Sequence, residues 1–246
     1  MKITVIGGTG LIGSRLVTAL RGAGHEVVTA SRSGGVDLVT GAGLDEALAG
    51  AHTVVDVTNS PTFDSASSDF FRTTTGNLLE AGERAGVRHQ VALSIVGVDQ
   101  VPQLDYYRAK TLQEDLLKQG AIPYSIVRAT QFFEFVDAVL SWTSDDTTVR
   151  LPSTPLRPIA AAEVVEALVE TATGRPLDGT IDIAGPEVLP LDGLGRLTLS
   201  AHRDPRAVVT DEGAGPFALV EGDALTGGPG VRTARTRYET WLGTRS

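Results

Sequence analysis

The chain has no cysteine, a single methionine and only 5% aromatic residues. Without cysteine there is no disulfide framework, no thiol catalysis and no cysteine-ligated metal, and the absence fits a reducing, cytoplasmic compartment. The four histidines, His25, His52, His89 and His202, are scattered without ligand spacing, so no metal is expected. A basic excess is missing too: 21 Lys and Arg stand against 30 Asp and Glu, a formal charge of −9, and the isoelectric point lies near 4.9. Such a chain offers no electrostatic footprint for a nucleic-acid backbone or an anionic membrane. No apolar stretch approaches the roughly 20 residues of a membrane helix. Met1-Lys2-Ile3-Thr4-Val5-Ile6-Gly7 runs straight into a strand, and no signal segment is expected.

What remains is a globular composition: 246 residues, 41% apolar and 21% charged, enough for one large domain or one domain with a small companion. In the first half, short apolar runs alternate with longer amphipathic stretches, the pattern of βαβ units and a parallel sheet. Strands are expected at 3–6, 27–30, 53–57, 91–94 and 124–127, with helices at 11–21, 68–85 and 104–118. Beyond residue 130 the character changes. Pro152, Pro155 and Pro158 suggest a crossing loop, a helix is expected at 160–173, a strand at 180–184 and another helix at 191–202. The fold class expected is α/β, a Rossmann doubly wound parallel sheet with a small C-terminal α/β substrate lobe. The core spans 1–130 and the lobe 131–246, partly interleaved with it.

Gly7-Gly8-Thr9-Gly10-Leu11-Ile12-Gly13 follows the first strand and opens the first helix. In that context the glycines have distinct jobs: Gly7 permits the tight turn, Gly10 admits a pyrophosphate close to the backbone, and Gly13 lets helix pack on strand. Unpaired N–H groups at the helix start then hold the phosphates. The second strand ends in Ala30-Ser31-Arg32-Ser33, with no acid to receive an adenosine ribose. Arg32 can pair bidentately with a 2′-phosphate while Ser31 and Ser33 donate hydrogen bonds, which favours NADP(H) over NAD(H). Thr58 and Asn59, at the carboxyl end of the third expected strand, are positioned for the ribose or pyrophosphate; the same residues also suit a plain turn.

Ser94 ends a strand, and Tyr106 and Lys110 lie one turn apart on the next helix. Together they can serve proton transfer beside a nicotinamide: Ser94 hydrogen-bonds the reacting carbonyl, Tyr106 is the acid, and Lys110 grips the nicotinamide ribose. A nearby ammonium is expected to pull the phenol toward neutral pH. A packed tyrosine beside an exposed lysine is the structural alternative.

The glycine motif, the Ser94…Tyr106-Tyr107-Arg108-Ala109-Lys110 arrangement, the segment Ser125-Ile126-Val127-Arg128-Ala129-Thr130-Gln131-Phe132-Phe133 and Ala184-Gly185-Pro186-Glu187 resemble the atypical short-chain dehydrogenase/reductase superfamily, in particular its NmrA-like NAD(P)-binding branch. The resemblance implies a Rossmann core, a small C-terminal lobe and a nucleotide site at Gly7, Thr9, Gly10, Leu11, Ile12, Gly13 and Arg32. Members of the branch include reductases of quinones, enones and carbonyls as well as dinucleotide-binding sensors. Gln131, Phe132 and Phe133, with Phe135, are candidates for an apolar platform facing a compact substrate, although packing of the lobe accounts for such residues equally well.

These expectations define an NADPH-dependent oxidoreductase acting on a carbonyl, quinone or enone, without flavin or metal. Its partner is a small molecule, and a homodimer is possible by analogy with the superfamily. The alternatives are an NADP-binding redox sensor, or an epimerase, dehydratase or cyclase that uses the nucleotide transiently.

Overall fold

The computed structural model describes residues 1–244. In chain order the elements are β1 (Lys2–Ile6), α1 (Leu11–Gly22), β2 (Glu26–Ala30), α2 (Leu44–Leu48), β3 (Thr53–Asp56), α3 (Ala66–Ala85), β4 (His89–Ile95), α4 (Asp105–Gln119), β5 (Tyr124–Ala129), α5 (Val136–Ser141), β6 (Thr148–Leu151), β7 (Pro155–Leu156), α6 (Ala161–Thr173), β8 (Gly179–Ala184), β9 (Leu189–Pro190), α7 (Leu191–His202), β10 (Ala207–Thr210), β11 (Arg232–Thr233) and α8 (Tyr238–Gly243). The main sheet has seven strands in the order β11-β8-β5-β4-β3-β1-β2. Its parallel pairings include β1 with β2 and β3, and β3 with β4. The fold is therefore the expected Rossmann-like doubly wound sheet.

The described residues divide into two compact units, each gathered from three separated stretches. One comprises Met1–Ser94, Asp105–Arg128 and Val164–Ile181; the other comprises Ile95–Leu104, Ala129–Glu163 and Asp182 onward.

In the first unit the strands are apolar because both faces of a parallel sheet are covered: Ile3, Val5, Val54, Val55 and Val91 are all almost fully buried. One core layer joins Ile6, Leu38, Leu44, Leu48, Val54, Leu78, Val87 and Ile122. Helix α1 turns Ile12, Gly13, Leu16, Val17 and Leu20 inward, the three-and-four spacing of an amphipathic helix. Helix α3 stops at Gly86, whose φ of 69° is the left-handed conformation of a C-terminal cap. Helix α4 departs from this pattern: its buried face carries Lys110, Gln113 and Glu114 beside Tyr107, Ala109 and Leu117.

The second unit has its own core. Phe133 is 1% exposed and packs edge-on to Tyr238 at 5.0 Å and against Trp241 at 5.4 Å between ring centroids. The Tyr238 hydroxyl shares a 2.7 Å hydrogen bond with Thr198. The proline-rich segment expected as a loop contains β7, which pairs antiparallel with β9, and β6 pairs in parallel with β10. These strands, of two to four residues, are too short to show a period of two in sequence.

Candidate functional site

The glycine turn is anchored to the end of β2, where the N–H groups of Gly7 and Gly8 both donate to the Ala30 carbonyl, at 3.0 and 3.1 Å. Gly7 has φ of 77°, and a Cβ there would sit 3.1 Å from the Val57 backbone. At Gly13 a Cβ would fall 2.1 Å from the Gly7 oxygen, so helix and turn meet at a distance only glycine allows. Gly10 differs from both. A Cβ there would touch only the Gly7 oxygen, at 3.4 Å, so the protein itself leaves that side open. Gly10 caps α1 with no side-chain hydrogen bond, and Ser14 N–H to Gly10 O is the first bond of the helix, at 3.0 Å. The N–H groups of Leu11, Ile12 and Gly13 precede it and stand at the positive end of the helix dipole. Thr9 and Leu11 are exposed and Ile12 is buried. This is a donor set and a cradle that fit a diphosphate.

Beyond β2, Ser31 opens a single 3₁₀ turn over Arg32–Gly34. The Ser31 and Ser33 hydroxyls face each other at 3.0 Å, and Arg32 is exposed. The guanidinium has no protein partner among the described residues.

Strand β3 ends one residue earlier than expected, at Asp56, which is 3% exposed and was not among the residues singled out from sequence. Its Oδ1 accepts from Thr58 N–H at 2.9 Å and from the Thr58 hydroxyl at 2.7 Å; its Oδ2 accepts from Gln113 Nε2 at 2.9 Å. Thr58 is thus turned toward Asp56. Asn59 is exposed, and its Oδ1 accepts a hydrogen bond from the Tyr106 hydroxyl. The Tyr106 ring lies 5.0 Å from Phe63, itself 49% exposed, and 6.1 Å from Phe71.

The three expected catalytic side chains each have a different partner. Tyr106 is on Asn59. Ser94 donates to Glu114 Oε1 at 2.6 Å. Lys110, 3% exposed, donates to the Leu93 carbonyl at 2.7 Å and to Gln113 Oε1, with its ammonium 4.8 Å from the centre of the Phe71 ring. Glu114 is held in turn by Arg128, which donates from Nε at 2.8 Å and from Nη2 at 2.7 Å. Burial alone would raise the Glu114 carboxyl, but hydrogen bonds from Arg128 and Ser94 outweigh it and hold the group below the ordinary range. Lys110 is pushed down to about 8 by burial, against the pull of Asp56 and Glu114.

Tyr106 corrects an expectation. Its phenol is raised rather than lowered, first by burial and then by Tyr107 and Asp56; the hydrogen bonds of Lys110 go to Leu93 and Gln113. Gln131 and Phe132 are half-buried in the second unit, where Phe132 bridges Ile159. Phe133 belongs to that unit's interior, so its role is packing and not a substrate platform. Gln113 and Glu114 have no mark in the sequence because a polar residue on the inward face of a helix looks no different, in one dimension, from one facing water; Asp56, ending a buried strand, looks like an ordinary turn residue.

With this geometry in place, the class is clear. The sequence matches the NAD(P)H-binding family over residues 7–172, and the chain belongs to that family. No curated protein matches the sequence. Solved structures that share the fold include dTDP-4-dehydrorhamnose reductase from Bacillus anthracis in complex with NADP (TM-score 0.71, 16% identity, 88% of each chain covered). Another is UDP-glucose 4-epimerase from Thermus thermophilus with NAD (TM-score 0.70, 18% identity, 86% of each chain). A third is a short-chain dehydrogenase/reductase superfamily protein from Agrobacterium tumefaciens with bound NAD (TM-score 0.68, 19% identity, 85% of each chain). At these identities the likeness carries the fold. NAD(P)H binding is what the matched family shares. Among the described residues no cluster of His, Asp and Glu could hold a metal ion, and no helix is long and apolar enough to cross a membrane.

Proposed function

We propose that the chain is an NADP(H)-dependent oxidoreductase of the NmrA-like branch that reduces a carbonyl, quinone or enone of a compact apolar substrate, with Tyr106 as the proton donor. The observation that carries this reading is the hydrogen bond from the Tyr106 hydroxyl to Asn59. It puts a protonated phenol beside the loop that leaves β3, and β3 and β4 are neighbours in the sheet. Carboxyl ends of neighbouring strands are where open α/β sheets take their ligands.

The bound nicotinamide supplies the hydride. The chain's own residues do the rest. Gly7, Thr9, Gly10, Leu11, Ile12 and Gly13 receive the pyrophosphate, Ser31, Arg32 and Ser33 the 2′-phosphate, and Thr58, Asn59 and Lys110 the ribose side. Burial keeps the Tyr106 phenol neutral, the form that can give a proton to an oxygen gaining negative charge. Ser94 orients that oxygen after releasing Glu114. Phe63, exposed next to Tyr106, adds apolar surface for a flat substrate.

One observation favours a second reading, a cofactor-binding sensor without chemistry of its own: Ser94 and Lys110 are both engaged by protein groups. A panel of quinones, enones and ketones with NADPH, followed by loss of reduced-nicotinamide absorbance and run beside calorimetric titration with NADP and NAD, separates the two. Turnover with at least one class, greatly reduced in Tyr106→Phe, supports the oxidoreductase. Tight binding with no oxidation across the panel supports the sensor, and no binding of either nucleotide at millimolar concentration overturns both.

A further inference from the structure

Three buried polar groups lie on a single path within the first unit: Asp56 at the end of β3, and Gln113 and Lys110 on α4, each no more than 3% exposed. A glutamine amide has one end that accepts and one that donates. Here the donor end, Nε2, meets Asp56 Oδ2 at 2.9 Å, and the acceptor end, Oε1, meets the Lys110 ammonium. Reversing the amide would set its N–H groups against the ammonium and its oxygen against a carboxylate, so the Asp56 charge dictates which way the amide lies. The other Asp56 oxygen is bound twice by Thr58, one residue before the Asn59 that receives Tyr106.

We infer that Asp56 and Gln113 are positioning residues: one buried carboxylate fixes both the Thr58-Asn59 turn and, through the oriented Gln113 amide, the place and charge of the Lys110 ammonium. An ammonium carries three donors; Leu93 O and Gln113 Oε1 take two, and the Phe71 ring lies 4.8 Å from the nitrogen. The charged groups acting on Lys110 are Asp56 from β3 and Glu114 from its own helix, while α3 presents the Phe71 ring and β4 the Leu93 carbonyl. Packing alone would be served at lower cost by apolar residues of the same volume. The inference rests on the reading that Lys110 faces the bound nucleotide.

The test measures NADPH affinity by fluorescence titration from pH 6 to pH 10 on the whole chain, for the wild type, Lys110→Met, Asp56→Asn, Gln113→Leu and Gln113→Glu, with melting curves to establish folding. In the wild type, binding weakens above about pH 8 as Lys110 loses its proton. Asp56→Asn and Gln113→Leu should each weaken binding about tenfold at pH 7 and move that alkaline midpoint down by about one unit. Gln113→Glu, which keeps the acceptor toward Lys110 and adds a negative charge, should move it up. If Gln113→Leu fails to fold, Asp56→Asn and Gln113→Glu carry the test, since both keep the volume. A residue with only a packing role leaves the midpoint where it is. Unchanged midpoints in both Asp56→Asn and Gln113→Glu, with Lys110→Met still losing affinity, overturn the inference and leave the role of Lys110 standing. Unchanged affinity in Lys110→Met removes that role and the inference with it.

Discussion

The turn from Gly7 to Gly13 is made of backbone: amides fixed to the Ala30 carbonyl, a helix start with no side-chain cap, and glycines at the points of closest approach. The inward face of α4 is made of side chains, with Lys110, Gln113 and Glu114 bonded to β3, β4 and β5 through Asp56, the Leu93 carbonyl, Ser94 and Arg128. The first arrangement has few ways to rearrange, because at Gly7 and Gly13 an added Cβ would press on backbone. The second has several, because hydroxyls, amides and ammonium groups can exchange partners when a ligand brings better ones. The glycine turn and the proposed reaction site thus use different materials within one unit.

The largest effect should come from the rigid side. Gly13→Ala forces a Cβ to within 2.1 Å of the Gly7 oxygen, and nucleotide binding should disappear in calorimetry along with about 1–3 kcal/mol of stability. Gly10→Ala is the sharpening control. Its Cβ meets protein only at 3.4 Å, so the melting temperature should stay near wild type while affinity falls. Equal destabilisation by both substitutions would erase the distinction between the two glycines.

On the adjustable side, Tyr106→Phe should lower kcat by about 10²–10⁴-fold and leave the NADPH dissociation constant almost unchanged, because the lost hydroxyl bonds Asn59 and not the cradle. A parallel loss of affinity would mean that the phenol holds the loop and does not donate a proton.

Acid tests a third polar pair, His89 with Ser125, where the imidazole Nε2 lies 2.8 Å from the hydroxyl. His89 is lowered to about 4, chiefly by burial and then by the charge on His52, with Asp178 opposing. Between pH 6.5 and 4 the unfolded chain takes up a proton that the folded chain refuses. The stability held above pH 6.5 is therefore lost as pH falls to 4, by about 3 kcal/mol. In urea titrations the part of the acid slope between those values should vanish in His89→Gln.

The smallest effect belongs to Arg32→Ala. The guanidinium is exposed, and losing its charge-assisted hydrogen bonds should cost about tenfold in NADP affinity with little change for NAD. An equal loss for both would remove Arg32 as the discriminator.

The same contrast governs what could be read from one dimension. Gly7, Gly10 and Gly13 were legible because a left-handed φ or an absent Cβ narrows a position to one residue type. The strands of the first unit were legible because two covered faces demand unbroken apolar runs. Asp56 and Gln113 lie 57 positions apart, and nothing local marks either as buried. Phe133, expected on a substrate platform, was misplaced for a similar reason: only its partners Tyr238 and Trp241 show that it is interior.

The thread of the chain passes between the two compact units at 94–95, 104–105, 128–129, 163–164 and 181–182. During synthesis, the first unit cannot gather all its segments until Ile181 has left the ribosome, well after the whole of β5. The glycine cradle is translated among the first residues and must wait, its surrounding sheet incomplete, for α6 and the start of β8. A nascent chain stalled before that point would expose unpaired strand edge to chaperones or to other chains, so the last third of translation decides whether the first thirteen residues ever become useful.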